Sequence, residues 1–122
     1  MLGYVTLGIG DFEASRDFYD KTLAGLGGKF MMKTGGGQLY GNGAGPLLGI
    51  TRPFDGEPAS HGNGTMVALA APSRAVVEQV YSDALAAGAA GEGAPGLRTG
   101  TFYGAYFRDP DGNKICVFTT GA

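Results

Sequence analysis

The chain has 122 residues, the size of one ordinary domain with a single hydrophobic core. Glycine accounts for 24 residues and proline for six, a proportion at which disorder has to be considered. The net charge is only −2 and the apolar residues are periodic, so we expect a folded domain. The nine basic residues form no cluster, which excludes an electrostatic surface for nucleic acid or an anionic membrane.

The cysteine and histidine content and the search for targeting signals further restrict the possible classes of protein and of site. A single cysteine, Cys116, excludes an internal disulfide and fits a reducing compartment. No stretch has the character of a membrane span or a secretory signal, so we expect a cytoplasmic protein. The single histidine, His61, excludes any site that needs two imidazoles from one chain.

An internal repeat organises the chain. Residues 4–26 and 66–88 align without gaps at an offset of 62. Each copy begins with alternating apolar residues, which predict a half-buried strand. Each then continues through a capping residue, Asp11 or Ser73, into an amphipathic helix that stops in glycine.

Further strands are expected after each helix. The predicted strands cover Lys29–Lys33, Gln38–Tyr40, Pro46–Arg52, Thr101–Arg108 and Asn113–Thr120. Glycine and proline in Ala89–Gly100 predict a loop, and Asp109–Gly112 predicts the tight turn of a hairpin.

The sequence therefore predicts an α+β fold made of two tandem β-α-β-β-β modules. The first module spans residues 1–52 and the second spans 65–122, with a linker over 53–64, in a single domain. The mixed sheets of the two modules are expected to form an open cup, with the helices on the outer face.

Alternation along the strands assigns side chains to two faces of each sheet. The face toward the helices is expected to carry Val5, Leu7, Val67, Leu69, Ile115 and Val117. The opposite, concave face is expected to carry Tyr4, Thr6, Met66, Ala68, Cys116 and Phe118. In the strand that ends at Arg108, either Phe102 with Tyr106 or Tyr103 with Phe107 faces the cup, and the pattern leaves both open.

Two motifs carry a family resemblance. The first is the strand Tyr4–Ile9 with the helix segment Ala14–Tyr19, and the second is Phe107–Ile115, which contains D-P-D-G-N. In this combination the chain resembles the vicinal oxygen chelate superfamily, which includes glyoxalase I, bleomycin-resistance proteins and extradiol dioxygenases. The resemblance covers essentially the whole chain and implies paired modules that form an open cup, and a homodimer.

The resemblance also implies where a metal would bind. In the metal-dependent members, the ligand positions correspond to Tyr4, Met66 and Cys116, where the family pattern has His, His and Glu. A neutral phenol, a thioether and a thiol are poor donors for catalytic divalent metals. We therefore expect no cofactor. A divalent metal held by His61 with Glu57 or Glu92, or by donors across a dimer interface, is the alternative.

The main hypothesis is a protein that binds a small organic molecule in an apolar, aromatic cup. The ligand pocket is expected to include Tyr4, Thr6, Met66, Ala68, Arg98, Phe102, Tyr106, Cys116 and Phe118. Arg52 and Arg98 are either solvated charges at the rim or partners of a substrate carboxylate.

Three other functions are open at this point. One is a metal-dependent lyase or dioxygenase resembling lactoylglutathione lyase. Another is a metal-free enzyme that uses Tyr4 or His61 for proton transfer, and the third is a scaffold whose site has decayed. As ordinary residues, His61 would be a solvated loop side chain and Cys116 a small buried hydrophobe, because no local cation would form a thiolate.

Overall fold

The computed structural model describes residues 1–121. The elements are β1 (Tyr4–Gly8), α1 (Phe12–Ala24), β2 (Lys29–Lys33), β3 (Gly37–Gly41), β4 (Leu47–Thr51), β5 (Val67–Ala70), α2 (Arg74–Ala86), β6 (Ala90–Thr99), β7 (Phe102–Arg108) and β8 (Lys114–Thr119). The order strand, helix and three strands occurs twice, which confirms the predicted α+β fold with two tandem modules.

The two helices begin where the repeat predicts. Their first residues, Phe12 and Arg74, are separated by the same offset as the sequence repeat. The Asp11 carboxylate accepts a hydrogen bond from the backbone N–H of Ala14 at 3.1 Å. The Ser73 hydroxyl accepts the equivalent bond, at 3.2 Å, from the backbone N–H three residues further along the chain. These side chains satisfy backbone donors that the first turn of a helix leaves without partners, so both caps are confirmed.

The strands form two four-stranded mixed sheets. Sheet one has the order β1-β4-β3-β2 and sheet two has the order β5-β8-β7-β6. In each sheet the first strand pairs in parallel with the last strand of its module, and the other pairs are antiparallel. Within the described residues, β1 and β5 have a neighbouring strand on one side only, so neither sheet closes.

The predicted loop at Ala89–Gly100 is wrong, because Ala90–Thr99 is the strand β6. This strand pairs with β7 through three register shifts, and Pro95 lies in the shift between Gly93 and Gly96. A proline cannot donate to a ladder, and glycines show no alternation of side chains, so the segment lacks both sequence signals of a strand.

A single core joins the two modules. The predicted helix-facing residues are confirmed, since Leu7, Ile115 and Val117 are buried and the other three pack against them. The helices α1 and α2 contact each other, and the ring of Phe18 on α1 lies 6.4 Å from that of Phe107 on β7. Each sheet therefore presents its opposite face away from this core.

The turn between β7 and β8 fastens the second module to the first. The Asp109 carboxylate is buried and accepts hydrogen bonds from the Tyr19 hydroxyl at 2.6 Å and from the backbone of Asn113 at 2.8 Å. It also accepts the backbone N–H of Asp111 and the amide of Asn113. Burial and the neighbouring Asp109 carboxylate raise the pKa of Tyr19 well above its usual value, so its hydroxyl stays a donor.

Two more bonds from the same turn reach the end of β1. Asp111 accepts the backbone N–H of Gly10 at 2.9 Å, and the Asn113 amide donates to the carbonyl oxygen of Gly8 at 3.0 Å. The acidic residues of the D-P-D-G-N motif are thus engaged in joining the modules.

Candidate ligand-binding faces

The exposed face of sheet one forms a hollow of about 990 Å³, here called the sheet-one hollow. Tyr4 and Thr6 of β1 form part of its floor, and the linker segment 52–60 forms one wall. Tyr4 is 61% exposed, whereas Leu39 in the floor is buried. The hollow thus combines an accessible phenol with an apolar floor, as expected for a site that accepts an organic molecule.

Arg52 lies at the rim of the sheet-one hollow. Its guanidinium lies 5.3 Å from the centre of the Phe12 ring and donates to the carbonyl oxygen of Gly36 at 3.4 Å. These contacts hold the charge at the edge of the hollow, and within the described residues Arg52 forms no ion pair.

The exposed face of sheet two, called the sheet-two face, carries most of the other predicted pocket residues. The register places Cys116 between Ala68 on β5 and Tyr106 on β7. The rings of Phe102 and Phe118 are stacked, with centres 5.0 Å apart and planes 6° apart. Met66 immediately precedes β5 and is 43% exposed.

The structure also decides between the two arrangements left open for β7. Phe107 is fully buried in the core, and the Tyr103 hydroxyl donates to Glu78 of α2. Both side chains therefore lie on the helix-facing side, so Phe102 and Tyr106 lie on the opposite side.

Arg98, one of the predicted pocket residues, is accompanied on the sheet-two face by three charged residues outside the predicted pocket: Glu92, Arg108 and Lys114. The guanidinium of Arg98 lies 5.3 Å from the centre of the Tyr106 ring, and the Lys114 ammonium lies 5.5 Å from it. Glu92 accepts from Arg108 at 3.0 Å and from Lys114 at 3.4 Å. The hydrogen bond from Arg108 is the main cause that lowers the pKa of Glu92. The pairing of Glu92 with these cations was not predicted, because the segment that contains Glu92 was predicted as a loop.

Cys116 is fully buried, as the sequence analysis expected of a small hydrophobe. The expectation that no cation lies near it is wrong, because the charges of Arg98 and Lys114 act on the thiol, as does the Tyr106 hydroxyl. These groups favour the thiolate, but burial outweighs them and raises the pKa of Cys116. The thiol is therefore a poor nucleophile at neutral pH.

We expect Cys116 to react with iodoacetamide at pH 7 at least about 100-fold more slowly than free cysteine, because it is buried and protonated. The rate should keep rising with pH beyond the range in which free cysteine reaches its plateau, because burial raises the pKa of Cys116. Mass spectrometry of timed samples measures this rate, and the urea-unfolded chain is the control that should react fully. Labelling of the native protein as fast as free cysteine would contradict the expectation.

The structure does not bring His61 to Tyr4. The imidazole is exposed and lies against Gly112 in the turn after β7, where a β-carbon would be 2.7 Å from its Nδ1. The described lining of the sheet-one hollow includes Ser60 but not His61. The two alternative residues for proton transfer, Tyr4 and His61, therefore lie at different places in the structure.

The residues present do not fit a catalytic divalent metal. Among residues 1–121, no group of three His, Cys, Asp or Glu side chains is placed to hold a metal ion. Glu92, one of the alternative donors, is paired with two cations. Tyr4 lies in a hollow that no described residue of sheet two lines, so within one chain it belongs to a different face from Cys116.

Comparison with known proteins identifies the superfamily to which this architecture belongs. A sequence profile described as "Glyoxalase/Bleomycin resistance protein/Dioxygenase superfamily" matches residues 1–117. The chain belongs to this superfamily. A glyoxalase/bleomycin resistance protein from Albidiferax ferrireducens is 38% identical, with 98% of each chain covered and a TM-score of 0.89.

More distant superfamily structures share the fold. A glyoxalase-related enzyme from Fulvimarina pelagi is 23% identical, with 98% of this chain and 87% of that chain covered and a TM-score of 0.77. A family enzyme from Burkholderia phytofirmans is 18% identical, with 98% of both chains covered and the same TM-score of 0.77. No curated protein matches the chain. Neither described helix has the length and apolarity needed to cross a membrane.

Proposed function

We propose that this superfamily member binds a small organic molecule in an apolar, aromatic cup without the help of a metal ion. The observation that supports it most is the character of the sheet-two face, where Phe102 and Phe118 stack beside Tyr106. Flat aromatic surfaces of this kind favour planar, largely apolar ligands. Tyr4 lies apart from this surface, in the sheet-one hollow, so within one chain it does not contribute to the sheet-two face.

The chemistry of the positions that would hold a metal supports the metal-free part of the proposal. A phenol at Tyr4, a thioether at Met66 and a protonated thiol at Cys116 are weak donors for Mn²⁺, Ni²⁺ or Fe²⁺. Enzymes that use such ions need imidazole or carboxylate donors and an open coordination position. A metal-dependent lyase or dioxygenase is therefore less well supported than a binding protein.

We also propose that the protein is a homodimer. The outer edges of β1 and β5 are unpaired within one described chain, and unpaired edges are commonly covered in native proteins. Leu2, Tyr4 and Met66, in or next to these two strands, are exposed apolar side chains. Light scattering at micromolar concentration should give twice the monomer mass of 12.4 kDa, and a monomer mass would contradict the proposal.

Metal analysis combined with native mass spectrometry tests the proposed function. After incubation with Zn²⁺, Ni²⁺, Mn²⁺ or anaerobic Fe²⁺ and removal of free ions, we expect no stoichiometric retention of metal. The variant Cys116→Ser is the control that removes any Zn²⁺ bound by the thiol alone. Native spectra of the untreated protein should show small organic molecules that leave on unfolding. One equivalent of retained metal would overturn the metal-free proposal.

A further inference from the structure

Two cations on the sheet-two face share one aromatic ring. Arg98 on β6 and Lys114 on β8 approach the Tyr106 ring from different strands, with their charged groups 5.3 and 5.5 Å from its centre. Both charges also act on the thiol of Cys116, which pairs with Tyr106 across β7 and β8. The two positive groups therefore lie around the same part of the face.

Glycines in β6 make room for Arg98. A β-carbon at Gly93 would lie 3.2 Å from one guanidinium nitrogen, and a β-carbon at Gly96 would lie 2.9 Å from the other. The guanidinium donates to the carbonyl oxygen of Ala94 at 2.6 Å, which holds it along its own strand. The absence of side chains at these glycines leaves its planar group lying over Tyr106.

The charges on this face are not balanced. Arg98, Arg108 and Lys114 are cationic, and Glu92 is the carboxylate that pairs with the latter two. Within the described part of the chain, no carboxylate forms an ion pair with Arg98. The face is therefore positive although the whole chain has a net charge of −2. Besides its bond to Ala94, the guanidinium of Arg98 has further N–H donors, and a planar guanidinium is well suited to bind a planar oxyanion.

An aromatic surface lies next to the unbalanced charge. Phe102 follows Arg98 across the β6–β7 turn, and its ring stacks on that of Phe118. A β-carbon at Gly104 would lie 2.8 Å from the Phe102 ring, so this glycine too leaves space for the aromatic pair. Cationic and apolar groups are thus adjacent on one face of the sheet.

We propose that the ligand of this protein is an aromatic carboxylate, held by Arg98 and Lys114 through its anionic group and by Phe102 and Phe118 through its ring. This inference rests on the proposed function and specifies its ligand class. It requires that charge and apolar surface act together, so a small anion alone or an uncharged aromatic molecule alone should bind more weakly.

Three probes separate these contributions: 2-naphthoate, its uncharged analogue 2-naphthamide, and acetate. Binding is followed by naphthalene fluorescence or by titration calorimetry. The wild-type protein should bind 2-naphthoate at least about tenfold more tightly than either other probe, which corresponds to one charge-assisted hydrogen bond. The preference should decrease as salt is raised, because Arg98 is exposed to solvent.

Variants connect the preference to the proposed residues. The variant Arg98→Gln changes an exposed side chain. It should weaken the binding of 2-naphthoate about tenfold or more and leave the affinity for 2-naphthamide unchanged within about threefold. Arg98→Lys should restore part of the loss, since it keeps the charge without the planar group. Lys21→Gln removes an exposed positive charge from α1 and is the matched control, which should change neither affinity.

The outcomes distinguish this inference from the proposed function. Equal binding of 2-naphthoate and 2-naphthamide would overturn the inference while the proposed function stands, because an apolar molecule would still bind. A preference for 2-naphthoate that survives Arg98→Gln would also overturn it, as would acetate binding as tightly as 2-naphthoate. If neither naphthalene compound binds at millimolar concentration, the inference fails, and the proposed function fails with it only when native spectra of the untreated protein also show no bound organic molecule.

Discussion

Replacement of Asp109 by alanine is expected to lower the free energy of unfolding by about 3–5 kcal/mol. The Asp109 carboxylate is buried and receives the hydroxyl of Tyr19, the amide of Asn113 and two backbone N–H groups. Alanine would leave these donors without their acceptor in a region that excludes water. Urea denaturation followed by circular dichroism measures the loss.

A matched control distinguishes the effect of losing Asp109 from the effect of losing an acidic residue in any other turn. Asp55 accepts a single bond from the backbone of Glu57 in an exposed turn, so Asp55→Ala should cost about 1 kcal/mol or less. If Asp109→Ala does not fold, Tyr19→Phe removes one hydroxyl and should cost about 1–3 kcal/mol. A change below about 0.5 kcal/mol in both Asp109→Ala and Tyr19→Phe would contradict the proposed role of this turn.

Replacement of Gly37 by alanine is expected to cost about 3 kcal/mol or more. The added β-carbon would overlap the carbonyl oxygen of Ile50 and lie 2.9 Å from the Cα atom of Thr51 on β4. Both contacts are with backbone, so no side-chain rotation relieves them, and the pairing of β3 with β4 must shift. Urea denaturation measures the change, and a lower ellipticity of the native state would report the lost pairing.

Gly35 in the same turn region provides the matched control. A β-carbon at Gly35 would meet no atom within 4 Å, and its φ lies outside the left-handed region. Gly35→Ala should therefore change the stability by less than about 1 kcal/mol, in the stabilising direction, since it reduces the entropy of the unfolded chain. Equal stabilities for Gly35→Ala and Gly37→Ala would show that the clash at Gly37 is relieved without cost.

The elements with strong local signals could be predicted from the sequence. The caps Asp11 and Ser73 and the apolar stripes that follow them determine the helices, because they act within a few residues along the chain. The turn at Asp109–Gly112 was predicted for the same reason. Its second role, as an acceptor for the Tyr19 hydroxyl, depends on a contact 90 residues away in sequence and leaves no local pattern.

The candidate site was predicted less completely. Alternation identified the face of Cys116, yet it could not decide between the two sets of aromatic residues on β7, since both sets alternate equally well. The position of Arg98 over Tyr106 depends on the glycines of β6, whose lack of side chains also concealed the strand. The glycines that make room for the guanidinium thus removed the sequence signal of the strand, although Arg98 and Tyr106 were both predicted as pocket residues.

The fastening at Asp109 has a consequence for the order of folding during synthesis. Its partners Gly8, Gly10 and Tyr19 leave the ribosome about 90 residues or more before the turn that binds them. Closing so large a loop is slow, because the chain loses conformational entropy before the stabilising contacts form. The contacts of this turn with the first module are therefore expected to form only after residues 109–113 have left the ribosome.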